Sequence, residues 1–199
     1  MDLSVHNKDL EGVDVSSPKS MQSYIDGLMA KNQSRVGYGG YLEKRNLYKR
    51  SSYFNSENTQ NERTIHLGLD LWIEAGTPIY TPLDATLHSF QNNTHHGDYG
   101  PTLILKHEME GVVFYTLYGH LSLEALEDKW VGQSFQQGDC IATLGAPEVN
   151  GDYAPHLHFQ VIKDLEGYTG DYPGVSSEKN LDHYRDNCPD PNLLLRLSF

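Results

Sequence analysis

Short runs of β-forming residues, separated by glycine, proline, asparagine and aspartate, fill the chain from Ile65 onward. Runs of this length with this punctuation are typical of antiparallel strands. They predict a mostly β fold built on an antiparallel sheet. The predicted strands are residues 69–72, 78–80, 85–92, 102–107, 112–120, 140–144 and 156–162.

One helix is predicted before this sheet. Ser17 suits the helix N-cap, Pro18 suits the first helical position, and apolar residues follow at helical spacing. Residues 1–16 have no clear period and are expected to form a mobile or surface-draped arm. The Tyr-rich stretch 38–54 follows several glycines and is expected to be irregular, either as a strap over the core or as a wall of a substrate groove.

Composition narrows the class of protein. With 199 residues, of which 38% are hydrophobic, the chain predicts one domain with appendages. A net charge of -12 argues against nucleic acid as a partner.

No apolar run approaches the ~20 residues that a membrane helix needs, and the first residues lack a signal-peptide pattern. Together they predict a cytoplasmic protein without a membrane partner. Cys140 and Cys188 form no CxxC pair, which argues against metal binding through sulfur. Two free thiols are expected, with a single disulfide as the alternative.

Histidines and one aspartate carry the chemistry. His156 and His158 alternate in an apolar run, so they share one face of a strand, roughly 6.5 to 7 Å apart. His66 and Asp70 are four residues apart and also share a side. Two imidazoles and one carboxylate are a standard ligand set for catalytic zinc, which keeps one position for water. The sequence therefore predicts one Zn²⁺ bound by His66, Asp70 and either His156 or His158.

The remaining histidines are predicted to move protons. His120 ends an apolar strand, where a side chain can meet solvent and substrate. With one of His156 and His158 on the metal, His120 and the other one are left to remove the proton of the attacking water and to stabilise the oxyanion. Arg45 and Arg63 are open to two interpretations, as anchors for a substrate carboxylate or as solvated or structural residues.

Two other function classes fit part of this pattern. Two histidines and one carboxylate also describe the ligands of non-haem Fe(II) oxygenases, although that interpretation leaves two histidines without a role. A non-catalytic metal-binding or regulatory module is the second alternative. Metal analysis separates the first from a zinc enzyme, and peptide hydrolysis separates the second.

The candidate ligand and catalytic residues lie in three short segments, RTIHLGLD at 63–70, YGHLS at 118–122 and APHLHF at 154–159. These segments resemble the motifs of lysostaphin/LytM-type zinc metallopeptidases. Residues 76–80 and 138–142 resemble connecting segments of the same family in the same order. Before the His-Leu-His motif the family commonly has Thr-Gly-Pro, whereas this chain has Tyr153-Ala154-Pro155.

The resemblance implies a β-sandwich-like antiparallel core. The short N-terminal helix and the irregular terminal extensions lie outside the resemblance. It implies His66, Asp70 and His158 as zinc ligands, with His120 and His156 as catalytic residues beside the attacking water. It also implies a metalloendopeptidase that cleaves peptides or muropeptides. It divides the chain into an N-terminal extension at 1–61, a peptidase core at 62–163 and a tail at 164–199 that docks on the core.

Overall fold

A computed structural model describes residues 1–52, 54–56 and 59–198. In these residues one α-helix precedes the strands, as the sequence pattern predicts, and two short α-helices, which the pattern did not predict, follow them. The helices are α1 (Pro18–Lys31), α2 (Leu181–Asn187) and α3 (Asn192–Leu195). The strands are β1 (Gly37–Gly39), β2 (Ile65–His66), β3 (Leu69–Trp72), β4 (Pro78–Tyr80), β5 (Ala85–Asn93), β6 (Gly100–Met109), β7 (Val112–Gly119), β8 (Ser134–Phe135), β9 (Cys140–Thr143), β10 (His156–Ile162) and β11 (Val175–Ser176).

Seven strands form the main sheet in the order β1-β3-β10-β7-β6-β5-β8. Every neighbouring pair in this sheet is antiparallel. Two short ladders, β2 with β11 and β4 with β9, flank it. The predicted fold class, a mostly β protein with an antiparallel sheet and a short N-terminal helix, is confirmed.

Both faces of the main sheet are buried along its central strands. In β6, Leu103 and Leu105 pack into one core cluster, and Ile104, between them, packs into a second cluster on the opposite face. The alternation follows from the strand period of two. In β10 the same period puts Leu157 and Phe159 in the first cluster, which leaves His156, His158 and Gln160 on the face of Ile104.

The N-terminal helix begins as its sequence predicts. The Ser17 hydroxyl accepts a hydrogen bond from the Ser20 amide at 3.3 Å, and Pro18 occupies the first turn. Met21 and Ile25 are buried against Trp72 of β3. The preceding arm lies on the same cluster, with Leu3 buried in it. Helix α1 and the arm therefore cover the end of the sheet at which β3 and β10 carry their polar residues.

Two local expectations need correction. Residues 37–39, expected to belong to an irregular stretch, form β1, which extends the main sheet by pairing with β3. Residues 175–176, placed in a strandless tail, pair with β2. Both are short strands whose stability comes from a long-range partner rather than from their own composition, so periodicity could not reveal them.

Within the residues that the structure describes, no helix has the length and apolarity that spanning a membrane requires. Cys140 is exposed, Cys188 is buried, and neither forms a disulfide. The prediction of two free thiols is confirmed.

Candidate metal and catalytic site

Strand register brings three predicted ligands together. Asp70 of β3 lies directly opposite His158 of β10, and His66 ends β2 just before the chain turns into β3. The turn passes close to His158, since a Cβ on Gly68 would lie 2.6 Å from the His158 ring. Only glycine fits at this approach. His66, Asp70 and His158 are called the ligand cluster below.

The inward atoms of the ligand cluster form a small triangle. His66 Nε2 lies 2.8 Å from His158 Nδ1 and 3.2 Å from Asp70 Oδ1. His158 Nδ1 lies 3.4 Å from Asp70 Oδ1. All three side chains are buried, with at most 2% of each residue exposed. Among the described residues, this group has the geometry to hold one metal ion.

The outward nitrogens of both histidines fix which atoms carry lone pairs. His66 Nδ1 lies 2.9 Å from the Gly40 carbonyl oxygen, and His158 Nε2 lies 2.9 Å from Gln160 Oε1. The Gln160 amide is itself oriented, since its Nε2 donates to the Pro173 carbonyl at 3.1 Å. Because oxygens of this kind only accept, the outward nitrogens must donate. The facing nitrogens of a neutral pair are therefore unprotonated, as metal ligands require.

The third atom of the triangle is an Asp70 oxygen to which no group donates a hydrogen bond. Asp70 Oδ2 accepts from Arg45 Nη1 at 2.6 Å, whereas the buried Oδ1 has no hydrogen-bond partner. Two imidazole lone pairs and an unpaired carboxylate oxygen in contact repel one another unless a cation lies between them. The donor set fits a metal ion on these grounds alone.

His120 and His156 lie beside the ligand cluster. His156 Nε2 is 3.7 Å from Asp70 Oδ1, and the rings of His120 and His156 are 4.3 Å apart. Each ring is oriented by a backbone carbonyl at 2.7 Å from its Nδ1, that of Asn150 for His120 and that of Ala154 for His156. Nε2 is therefore the basic nitrogen in both neutral rings.

Burial keeps these histidines neutral. It lowers the pKa of His66 to about 4. It also lowers the pKa of His120 well below its usual value, and the neighbouring His156 imidazole is the second cause. The pKa of His156 is lowered for the same first reason. For Asp70, burial favours the neutral acid, but the neighbouring His66 and Arg45 hold its pKa well below the usual range. At neutral pH the site thus offers basic nitrogens and one carboxylate.

A cavity of about 140 Å³ opens onto these side chains. Residues of the Tyr-rich stretch, Arg45 and Tyr48 among them, form part of its wall. Other aromatic residues come from the sheet and its loops. The aromatic lining includes Tyr48, Phe54, Trp72, Tyr99 and Tyr153.

Sequence reasoning missed part of the site. Arg45, considered as an anchor for a substrate carboxylate or as a structural residue, is buried and bonded to Asp70. Arg63 lines the cavity and stacks over the Phe54 ring at 4.9 Å. Gln160, Gly40 and Tyr99 touch the ligand histidines and were not singled out. Gln160 had a local signal, since it continues the alternation of His156 and His158.

Asp98, in the cavity wall, is expected to make stability depend on pH. Burial raises its pKa to about 6. The unfolded chain ionises this group near its ordinary value of about 3.9, so the folded state binds more protons between the two values and loses stability as pH rises through them. We expect Asp98→Asn to raise the free energy of unfolding by about 1 kcal/mol at pH 8 and to change it little at pH 4.

Urea unfolding of metal-free protein at the two pH values measures this difference. Asparagine can still accept the Tyr99 amide hydrogen bond that Asp98 Oδ1 accepts at 2.8 Å. Asp128→Asn, at an exposed aspartate, is the matched control. An equal gain for Asp98→Asn at both pH values would contradict the assignment of the effect to ionisation.

A known family is similar in sequence to the part of the chain that carries the ligand cluster. The sequence model of Peptidase family M23 matches residues 64–170. A protein of Haemophilus influenzae described as an uncharacterized metalloprotease is 30% identical over 115 residues, which are 56% of this chain and 22% of that protein. The chain therefore spans about a fifth of the length of this relative.

Solved structures of low identity are also similar. The catalytic domain of lysostaphin from Staphylococcus simulans has a TM-score of 0.45 and 22% identity, over 77% of this chain and 94% of that chain. A mutant catalytic domain of the prophage-encoded M23 protein EnpA from Enterococcus faecalis has a TM-score of 0.47 and 17% identity, over 71% and 93%.

The family match begins at Thr64 and ends at Gly170. This range contains the ligand cluster, His120 and His156, and it makes up more than half of the chain. The chain belongs to peptidase family M23, whose members are lysostaphin/LytM-type metallopeptidases.

Proposed function

We propose that this chain is a peptidase that hydrolyses peptide bonds with one Zn²⁺ held by His66, Asp70 and His158. The observation that carries the proposal is the contact between two imidazole lone pairs and an unpaired, buried carboxylate oxygen. Three ligands 2.0–2.2 Å from a tetrahedral zinc ion lie about 3.3–3.6 Å from one another. Two separations in the ligand cluster, 3.2 and 3.4 Å, are close to this spacing, and the third, 2.8 Å, is shorter.

Zinc, when bound, supplies a Lewis acid that polarises a carbonyl and makes water more acidic. The chain's own residues supply the rest. His120 and His156 present basic Nε2 atoms beside the ligand cluster, because backbone carbonyls hold their Nδ1 hydrogens. One of them would accept a proton from the attacking water and return it to the leaving amine. The other would take up a proton from solvent at Nε2 as negative charge develops, donate it as a hydrogen bond to the oxyanion and release it when the oxyanion collapses.

The substrate class is a peptide, and peptidoglycan-type cross-link peptides or muropeptides are the proposed natural substrates. Family membership supports a peptide as the substrate. The resemblance to lysostaphin/LytM-type enzymes supports peptidoglycan cross-link peptides as the natural substrate. The cavity that opens onto the ligand cluster gives the scissile amide access to it. The carbonyl to be attacked must lie near both the ligand cluster and the His120 and His156 rings.

Metal analysis combined with hydrolysis profiling tests the proposal. Purified protein is stripped with a chelator and reconstituted with zinc or iron. It is then incubated with purified muropeptides, glycine-containing peptides and ordinary L-peptides, and the products are identified by mass spectrometry. We expect one equivalent of zinc, and amide hydrolysis that disappears on stripping and returns with zinc.

Two results would contradict the proposal, and each corresponds to one alternative function. Iron dependence with oxygen consumption would indicate a non-haem Fe(II) oxygenase. Zinc-loaded protein that cleaves none of the peptides would indicate a non-catalytic metal-binding or regulatory module.

A further inference from the structure

The segment of residues 37–45, called the bracing segment here, precedes the family match, which begins at residue 64. It runs along β2 and β3 around the ligand cluster. Gly39 pairs with Asp70 across the β1–β3 ladder. The Leu42 amide donates to the His66 carbonyl, and the His66 amide donates to the Glu43 carbonyl, both at 2.9 Å. The backbone of two ligand residues is therefore fixed by this segment.

The bracing segment also holds the outward atoms of the same two side chains. Arg45 Nη1 donates to Asp70 Oδ2 at 2.6 Å, and the Gly40 carbonyl accepts from His66 Nδ1 at 2.9 Å. Such partners orient a ligand and set how strongly it donates to a metal. With Oδ2 occupied by Arg45, Asp70 has only Oδ1 to offer a cation.

Arg45 is itself held in place. Its side chain is 3% exposed, and its Nε donates to Glu43 Oε2 at 2.5 Å. Glu43 Oε1 in turn accepts the Leu3 amide at 3.0 Å. A guanidinium can contact two carboxylates from one rigid plane, which a lysine ammonium cannot reproduce. The charge of Asp70 is partly balanced, so the ligand cluster carries less net negative charge than its residues alone suggest.

Two observations show that only glycine fits at position 40. Its φ is +101°, in the region that L side chains avoid. A Cβ there would lie 1.9 Å from Arg45 Nη2 and 3.1 Å from His66 Nδ1. A side chain at this position would displace both contacts at once.

We propose that Arg45 and Gly40 are positioning residues of the metal site. They hold Asp70 and His66 in place from outside the region that defines the family. The alternative is that the bracing segment only fastens the N-terminal arm to the core. The two differ in one respect. A fastening role affects stability, whereas a positioning role changes zinc affinity and the ligand field of a folded protein.

The test compares Arg45→Met and Arg45→Lys with the parent and with Arg50→Met. Arg50 is a matched control, because its side chain is only 7% exposed, it comes from the same part of the chain and it lines the same cavity. It bonds to Asp152 and stacks over the Tyr153 ring instead of touching the ligand cluster. Zinc affinity is measured by competition with a chromophoric chelator, and Co²⁺-substituted protein reports the ligand field through its visible absorption.

We expect Arg45→Met to bind zinc about 10- to 100-fold more weakly than the parent and to show an altered Co²⁺ spectrum. Arg45→Lys should recover part of the affinity, and Arg50→Met should match the parent in both measurements. Folding of each metal-free variant is checked by circular dichroism. Parental affinity and spectrum in folded Arg45→Met would overturn the proposal.

Gly40→Ala gives a second, independent arm that removes no charge. It should weaken zinc binding and alter the Co²⁺ spectrum for the steric reason given above. If Arg45→Met does not fold, parental zinc binding by both Arg45→Lys and Gly40→Ala would overturn the proposal.

The inference rests on the proposed zinc site, but different results would refute the inference and the proposed function. A parent that binds no zinc refutes the function, whereas a zinc-binding parent with unaffected variants refutes only the bracing.

Discussion

His158→Ala is expected to lose both bound zinc and peptide hydrolysis. Removing the imidazole leaves His66 and Asp70 as protein ligands, one fewer than the three that catalytic zinc sites use. The two remaining ligands then face a space that water fills. Because zinc supplies the Lewis acid, hydrolysis should fall to the rate of the chelator-stripped parent. Zinc per chain and the rate of muropeptide hydrolysis are the two measurements.

His107→Ala is the matched control for the loss of a buried imidazole. His107 is 2% exposed and bonds to the Asp84 carbonyl and the Thr116 hydroxyl, rather than to the ligand cluster. This substitution should lower the free energy of unfolding by about 1–3 kcal/mol, because it leaves a buried polar partner unpaired. It should retain zinc and specific activity. Full zinc occupancy in His158→Ala would show that the ion is bound elsewhere.

His120→Ala is expected to separate metal binding from catalysis. His120 lies beside the ligand cluster but is not part of the triangle of inward atoms, so zinc should stay bound. Its loss removes a proton-transfer group, which is typically worth about 10² to 10⁴ in rate. The reduction should appear in kcat, with KM nearly unchanged. Steady-state kinetics at saturating zinc, with zinc content measured on the same samples, provide the readout.

The backbone at His120 needs its own control. Its φ is +63°, where alanine is strained and asparagine is tolerated. His120→Asn should therefore be the more stable variant while losing kcat to a similar extent. A large difference in kcat between the two variants would point to the backbone rather than to the imidazole. Unchanged kcat in both would remove His120 from the proposed mechanism.

Two of the strands at the site, β7 and β10, followed from local patterning. The predicted strand at residues 156–162 coincides with β10, and the one at 112–120 exceeds β7 by a single residue. Both are apolar runs bounded by turn residues, so a few consecutive residues show the alternation of each strand and where it begins and ends. The same period put His156 and His158 on one face before any fold was known.

The choice between these two histidines depended on pairing with a distant strand. Residue alternation makes them equivalent, and the sequence pattern alone left the third ligand open until the family resemblance pointed to His158. In the structure, His158 lies opposite Asp70, whereas His156 lies opposite Trp72. A register shift of two residues would place His156 opposite Asp70 instead. Register is set by the whole sheet and its buried faces, so no local window contains it.

The sequence by itself determined the seven predicted strands, the residue types of the site and the faces they share, because these depend on neighbours within a few positions along the chain. Only the tertiary structure decided that Arg45 and Gly40 lie behind Asp70 and His66. Arg45 and Gly40 stand in an irregular, glycine-rich stretch with no periodic signal. Their placement results from long-range backbone pairing and from the need of a buried guanidinium to contact carboxylates, and both conditions exist only once the chain has folded.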